Sequence, residues 1–160
     1  MIILGIDPGT AITGYGVIKK SKNSLKCLDY GCIKTKSGLP AGERLKIISS
    51  QLNKIIEKHE PEAISVENIF FFKNAKTAIP VSQAKGVVLL CAAQKKIPTY
   101  EFTPPQIKMA VTGYGRAEKK QMQKMVQKTL NLKDIPKSDD AADALAAAIS
   151  CALSLGKKEA

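Results

Sequence analysis

Hydrophobic and polar positions change their period along the chain, and these changes predict a series of strands and helices. Three short runs come first, separated by glycine, serine and asparagine, which is typical of an antiparallel meander. Residues 43–58 then place apolar side chains on one helical face, with lysines opposite. The predicted strands are Ile2–Ile6, Gly14–Lys19, Leu25–Lys36, Ala63–Glu67 and Ile97–Phe102. The predicted helices are Glu43–Lys58, Ser82–Lys95, Pro105–Val111, Ala117–Leu130 and Ser138–Leu155.

This order of elements predicts an α/β protein built on one mixed sheet. Three antiparallel strands, followed by two parallel strands that return through right-handed crossovers, give a five-stranded sheet with helices on both faces. A chain of 160 residues is most simply one domain. We expect that domain to cover residues 1–156, followed by a short C-terminal tail over 157–160.

Charge and composition narrow the classes of function. Twenty-five Lys and Arg residues against fourteen Asp and Glu give a net charge of +11, spread over the whole chain. Such a surface attracts polyanions, and we expect nucleic acid as the partner. The longest apolar stretch, Ala144–Leu155, is too short to span a membrane, which favours a cytoplasmic protein without a membrane partner. Four cysteines without a CxxC pair, and one histidine, argue against a zinc site or a disulfide framework.

Acidic residues stand where two predicted strands end and where the last helix begins. Asp7 and Glu67 each follow a buried-looking apolar run, so parallel pairing of these strands would bring them together at the sheet edge that ligands favour. In the last helix, Asp140 and Asp143 are three residues apart, and Asp139 and Asp143 are four apart. Either pair shares a helical face, so the spacing leaves both pairs open.

Clustered carboxylates repel one another unless a cation lies between them. Oxygen ligands without histidine or cysteine point to Mg²⁺ or Mn²⁺. Two such ions, roughly 3.5–4 Å apart, would clamp a phosphodiester and activate a water for in-line attack. An acidic centre within a basic surface therefore predicts a nuclease.

Six separated stretches of the chain match, in order, the motifs of one known family. They are ILGIDPGTAITGYGVI, GCIKTK, ISVENIFFFKNAKTA, QAKGVVL, GYGRAEKKQM and DDAADALAAAI. Over essentially its whole length the sequence thus resembles the RuvC family, the bacterial Holliday junction resolvases. The resemblance implies a ribonuclease-H-like fold, a homodimer with its interface near Ala75–Ala93, and partnership with the RuvA–RuvB branch-migration complex. It also implies Mg²⁺-dependent paired nicks in four-way junction DNA, leaving 5′-phosphate and 3′-hydroxyl ends, in recombination and repair.

The resemblance also assigns the catalytic carboxylates. They are Asp7, Glu67, Asp140 and Asp143, which would hold Mg²⁺, two ions per site, with Mn²⁺ as a possible substitute. The family spacing Asp-x-x-Asp selects Asp140 over Asp139, which the spacing in this chain alone does not. Asp139 is then an added neighbour near the N-terminus of the helix, where a negative charge is favourable.

Candidate DNA contacts follow from aromatic and basic residues near these acids. Three phenylalanines stand just beyond Glu67, and an exposed ring there would stack on bases at a branch point; the resemblance selects Phe70. The stretch GYGRAEKK joins a glycine loop to a basic helix start that would grip phosphates. Lys108 and Lys119 match basic residues important in the family. The candidate DNA-binding residues are Phe70, Lys73, Lys76, Lys108, Arg116, Lys119 and Lys120.

Three alternatives remain open at this point. A sibling ribonuclease-H-like nuclease of the YqgF type, linked to ribosomal RNA processing, shares the first-strand Asp-x-Gly pattern but is not expected to carry the phenylalanine-rich loop. An ATPase of the actin, Hsp70 and sugar-kinase type requires a duplicated domain, which one copy of this length does not supply. A junction-binding protein without catalysis would not need the complete acidic set.

Overall fold

The computed structural model of the chain describes residues 1–68 and 75–156, except the side chains of residues 75–77. The strands are β1 Ile2–Asp7, β2 Ile12–Lys20, β3 Leu25–Lys34, β4 Ala63–Glu67 and β5 Thr99–Phe102. The helices are α1 Ala41–His59, α2 Ala75–Gln94, α3 Pro104–Thr112, α4 Lys119–Thr129 and α5 Asp139–Gly156.

The strands form one five-stranded mixed sheet in the order β3-β2-β1-β4-β5. β1 pairs antiparallel with β2, and β2 with β3, whereas β4 pairs parallel with β1 and with β5. The predicted fold class and the predicted parallel pairing of the first and fourth strands are confirmed. The predicted start of the second helix at Ser82 is wrong, because α2 begins at Ala75 and continues through Pro80, which lacks an amide N–H to donate to the preceding turn.

Helices cover both faces of the sheet, and each face has its own apolar core. Side chains from α1 and α2 pack with one face, and side chains from α3, α4 and α5 pack with the other. Along β1, Ile3 belongs to the core under α5, while Leu4 and Ile6 belong to the core under α1 and α2. Since successive side chains of a strand point to opposite faces, this alternation places Asp7 on the α5 face.

The same alternation operates in β4. Ser65 donates a hydrogen bond of 2.7 Å from its hydroxyl to the carbonyl oxygen of Ala147 in α5, while Val66 is buried in the opposite core. Glu67 therefore shares the α5 face with Asp7.

The α5 helix lies unusually close to the sheet because both surfaces are made of small residues. A Cβ atom built on Gly5 would overlap the carbonyl oxygen of Ala144, and one built on Gly14 would overlap that of Asp140. Gly5 and Gly16 are paired across β1 and β2, so the glycines form one patch under the alanine-rich helix. This contact sets the position of the α5 start against the ends of β1 and β2.

Within the described ranges, no helix is both long enough and apolar enough to cross a bilayer.

Candidate active site

Asp7 and Glu67 lie side by side at the carboxyl ends of β1 and β4. The parallel register pairs Ile6 with Val66, so the next residues along the two strands are the two acids. On its other side Asp7 is paired with Gly14 of β2. The two carboxylates therefore meet at the edge of the sheet where the sequence predicted a site.

The first turns of α5 bring two further carboxylates to the same place. Asp140 lies above Gly14, whose missing side chain lets the helix backbone approach β2. The charges of Asp140 and Asp143 both act on the carboxyl of Asp7. Three separate elements thus contribute the four predicted carboxylates to one acidic cluster, which we define as Asp7, Glu67, Asp140 and Asp143.

Burial and the charges of neighbouring acids raise the pKa values of Asp7, Glu67 and Asp143. Burial, then the charges of the other three acids, raise the pKa of Asp7 to about 8, against a lowering effect of Lys119. Burial, then Asp143, raise the pKa of Glu67 to about 7. Burial also raises the pKa of Asp143, against the opposing lysine charges. The cluster therefore holds more negative charge than its surroundings neutralise, which is the condition that a cation relieves.

Two lysines from different helices reach the acidic cluster. Glu67 and Asp143 line a cleft of about 210 Å³ together with Lys108 of α3 and Lys119 of α4. The cleft joins carboxylate oxygens, which suit hard divalent cations, to ammonium groups, which suit phosphate. It can accept a phosphate diester between the two kinds of group.

The donor chemistry of the cluster fits a divalent cation bound jointly with substrate. Among residues 1–68 and 75–156, no three His, Cys, Asp or Glu groups are close enough together to hold one ion by themselves. Mg²⁺ rarely needs such a cage, because it is usually bound through one or two carboxylates with water and substrate phosphate completing the shell. The carboxylates are therefore suited to Mg²⁺ that arrives with a phosphodiester.

Asp139 has its own contacts with α4, although its charge also raises the pKa of Asp143. One carboxylate oxygen, Oδ2, lies 2.7 Å from the ammonium of Lys119, and the other, Oδ1, accepts a hydrogen bond of 2.8 Å from Gln123. These bonds lower the pKa of Asp139, the Lys119 contact most strongly. Both oxygens of Asp139 are thus engaged by α4, which favours Asp140 over Asp139 as the partner of Asp143.

The predicted DNA-binding residues fall into three groups. Lys108 and Lys119 line the cleft. Arg116, in the loop between α3 and α4, and Lys120, in the first turn of α4, are exposed near it in sequence but do not line it. The remaining candidates, Phe70 and Lys73 and the side chain of Lys76, lie outside the described residues.

Sequence reasoning missed the glycines that make the site possible. Gly5, Gly14 and Gly16 have no side-chain functional group, yet each would overlap α5 if it had a side chain. The available signal was the alternation of glycine in ILGID and TGYGV, matched by the run of alanines after Asp143. Small residues at every second strand position, facing a small-residue helix, indicate close backbone approach.

The sheet order, the acidic cluster at the ends of β1 and β4, and the helix that completes it together define a class of protein. It is the class of nucleases with a ribonuclease-H-like fold.

Within that class, the chain belongs to the RuvC family: the family model described as "Crossover junction endodeoxyribonuclease RuvC" matches residues 3–151. A relative of that description from Fusobacterium nucleatum is 52% identical over 158 residues, which are 99% of this chain and 83% of the relative. Another from Halothermothrix orenii is 54% identical over 149 residues, or 93% of this chain and 90% of the relative. The resemblance inferred from the motifs is confirmed, and the YqgF alternative is not favoured.

Solved structures agree with this assignment. Thermus thermophilus RuvC in complex with a Holliday junction substrate is similar with a TM-score of 0.93 and 34% identity, covering 99% of this chain and 96% of the other. The yeast mitochondrial Holliday junction resolvase shares the fold, with a TM-score of 0.67 and 14% identity. The superposition covers 98% of this chain and 82% of the yeast protein. The chain is accordingly a nuclease, as its sequence predicted.

Proposed function

We propose that this protein resolves four-way DNA junctions by paired, symmetric, Mg²⁺-dependent nicks that leave 5′-phosphate and 3′-hydroxyl ends. The observation that carries the proposal is the convergence of carboxylates from β1, β4 and α5 in one acidic cluster. Two of them, Glu67 and Asp143, line a cleft with Lys108 and Lys119. Family membership supports the junction as substrate. It also supports action in the cytoplasm, in recombination and repair, beside the RuvA–RuvB branch-migration complex.

The acidic cluster would hold the metal. Asp7, Glu67, Asp140 and Asp143 are the ligands we assign, for two Mg²⁺ ions, with Mn²⁺ as the substitute that the same oxygen donors accept. When bound, the ions supply Lewis-acid chemistry and charge neutralisation to the phosphodiester. The partial burial of Asp7 and Glu67 keeps their carboxylates in place at the strand ends, so that the site requires little rearrangement when substrate arrives.

The two cleft lysines would act on the phosphate. Their ammonium groups oppose the negative charge of the acidic cluster, since Lys119 lowers the pKa of Asp7 and Lys108 lowers that of Glu67. A lysine in this position attracts the scissile phosphate into a negatively charged site and stabilises charge that develops on it. Both are therefore assigned to substrate binding and to the transition state.

Further DNA contacts surround the cleft. Arg116 and Lys120 are exposed beside the α4 start and would contact the phosphates that flank the scissile one. From the sequence we assign Phe70 to base stacking at the branch point, and Lys73 and Lys76 to phosphate contacts. Because phosphate contacts dominate the affinity, binding is expected to weaken steeply as salt concentration rises.

The two nicks require two active sites, and we propose a homodimer through α2. Ile79 and Leu90 are 66% and 57% exposed, and their separation of three helical turns places them on one face of α2. Gly86 lies between them and is also exposed, which allows a partner helix to approach closely. A two-fold axis through this face would present two clefts to a junction of matching symmetry.

Leu90→Lys is expected to shift the protein from dimer to monomer, because it places a charge on this exposed face of α2. Light scattering after size-exclusion chromatography measures the mass directly. Leu153→Lys serves as the control, since Leu153 is an exposed leucine of α5, 44% accessible, away from α2. A Leu90→Lys variant that remains dimeric would place the interface elsewhere.

The proposed function is tested by a nicking assay on a synthetic mobile four-way junction, beside duplex DNA and an RNA–DNA hybrid of the same sequence. Each substrate is incubated with Mg²⁺ and with EDTA. We expect symmetric nicks in the junction alone, only with Mg²⁺, that a DNA ligase can seal. Cutting of RNA or hybrid in preference to the junction would contradict the proposed substrate, and junction binding without any cutting would contradict the enzyme activity.

A further inference from the structure

Lys119 is held in place by a residue that the catalytic assignment does not use. Its ammonium lies 2.7 Å from Oδ2 of Asp139, and this contact is the largest influence on the lysine, whose pKa it raises. Oδ1 of the same carboxylate accepts a hydrogen bond of 2.8 Å from Gln123. One carboxylate at the first residue of α5 is thus tied to two residues of α4 that lie one turn apart.

The second cleft lysine is not held in this way. In the part of the chain that the structure describes, Lys108 has no carboxylate within ion-pair distance of its ammonium. Both lysines act on Asp143, but the described ion pairs join Asp139 to Lys119 and not to Lys108. The cleft therefore contains two similar cations, and among the described residues Lys119 alone of the two has a carboxylate partner.

The contact between Lys119 and Asp139 is suited to orientation more than to stability. The two side chains are 55% and 57% exposed, and ion pairs at such exposure contribute little to folding stability. A free lysine side chain samples many rotamers, and fixing one of them in advance removes that entropy cost from a later step. An ammonium has three N–H donors, so the bond to Asp139 leaves two for a phosphate.

We propose that Asp139 is a positioning residue that holds the Lys119 ammonium at the acidic cluster, ready for the scissile phosphate, and is not a ligand of the metal. The proposal rests on the function proposed above for Lys119. It explains why this chain has an aspartate directly before Asp140 without adding a fifth ligand. Both oxygens of Asp139 are engaged by α4, and the residue stands between that helix and the cluster.

A double-mutant cycle tests this role. Single-turnover cleavage of the synthetic junction is measured for the parent, Asp139→Asn, Lys119→Gln and the double variant, at saturating protein and Mg²⁺. Asp139→Asn is expected to slow cleavage about tenfold while junction affinity stays within about twofold. Because Asp139 acts through Lys119, the double variant is expected to be no slower than Lys119→Gln alone. Asp139→Glu is expected to recover part of the rate, since it restores the charge.

Two controls separate this role from others. Lys108→Gln combined with Asp139→Asn is expected to multiply the two single effects, since Lys108 makes no contact with Asp139. Glu57→Gln removes a comparable exposed ion pair, Lys95 to Glu57 at 3.1 Å, remote from the cleft, and is expected to leave cleavage unchanged. The Mg²⁺ concentration for half-maximal cleavage is expected to be the same for Asp139→Asn as for the parent.

Several results would overturn the inference. If Asp139→Asn needs more Mg²⁺ than the parent for half-maximal cleavage, Asp139 is a metal ligand. If the double variant slows cleavage by the product of the two single effects, Asp139 acts independently of Lys119. If Lys119→Gln cleaves slowly but Asp139→Asn cleaves at the parental rate, the role proposed for Asp139 is rejected and that of Lys119 is retained. A Lys119→Gln variant as fast as the parent would instead reject the function proposed for Lys119, and the inference with it.

Discussion

Replacing Asp7 with asparagine is expected to abolish junction cleavage, by at least on the order of 10³-fold, while making the metal-free protein more stable. The loss of activity follows from removing the carboxylate at the centre of the acidic cluster. The gain in stability follows from removing a half-buried charge that the other acids repel. Junction binding is expected to persist, because phosphate contacts come from the basic residues around the cleft.

The stability gain has a definite dependence on pH. The pKa of Asp7 is about 8 in the folded protein and has an ordinary value of 3.8, so the folded state retains a proton that the unfolded state loses. As pH rises from 4 towards 8, the parent therefore loses stability through this group, and the loss is complete above the folded pKa. The change from 3.8 to about 8 sets an upper limit of roughly 6 kcal/mol, at about 1.4 kcal/mol per pH unit. Because Asp7 is only half-buried, solvent screens part of this, and at pH 8 Asp7→Asn is expected to raise the free energy of unfolding by on the order of 2 kcal/mol and the Tm by about 4–8 °C.

Thermal melts in EDTA at pH 4 and pH 8 measure this difference. The difference in Tm between Asp7→Asn and the parent is expected to be near zero at pH 4 and to reach its full size at pH 8. Added Mg²⁺ is expected to stabilise the parent more than Asp7→Asn. Asp134→Asn is the matched control, because Asp134 is exposed and outside the acidic cluster, and it is expected to change neither Tm nor cleavage. An Asp7→Asn variant that cuts at the parental rate, or is less stable at pH 8, would contradict the assignment.

Replacing Gly14 with alanine is expected to destabilise the fold by about 2–3 kcal/mol and to slow cleavage on the order of 10²-fold. The new methyl group would overlap the carbonyl group of Asp140 and approach the amide of Ala141. These are backbone atoms, so no side-chain rotation can relieve the overlap, and the start of α5 must move. That movement separates Asp140 and Asp143 from Asp7, which is paired with Gly14.

Chemical denaturation and single-turnover cleavage, both at low temperature, distinguish the two effects. Gly42→Ala is the control, since a Cβ on Gly42 in α1 meets nothing within 4 Å; it is expected to leave cleavage unchanged and stability equal or higher. A folded Gly14→Ala protein that cuts as fast as the parent would show that close packing of α5 does not set the site geometry.

Much of the fold was predictable because its signals lie in neighbouring residues. The apolar runs before Asp7 and Glu67 each predicted a strand that ends on an acid, and the structure has both, in parallel register. The start of α2 was not predicted, since a proline normally ends a helix, whereas here helix continues through Pro80.

Local sequence patterns do not distinguish Asp139 from Asp140 as the partner of Asp143. Both residues lie in the first turn of α5, and helical spacing pairs either one with Asp143. The family motif selected Asp140, but the reason is visible only when α4 packs beside α5 and brings Lys119 and Gln123 to Asp139. Similarly, the reason for the glycines of β1 and β2 is visible only in the structure, where α5 packs directly on them.

By itself, the sequence determined the order of the elements, the acidic strand ends, the basic surface and the family, because each is encoded in adjacent residues or in residue chemistry. Tertiary structure alone decided how far the pKa values of Asp7 and Glu67 rise and which lysine is held in place. The physical reason is that desolvation and Coulomb interactions depend on distances between side chains. Those distances are set when α3, α4 and α5 pack on the sheet, and no local pattern in the chain contains them.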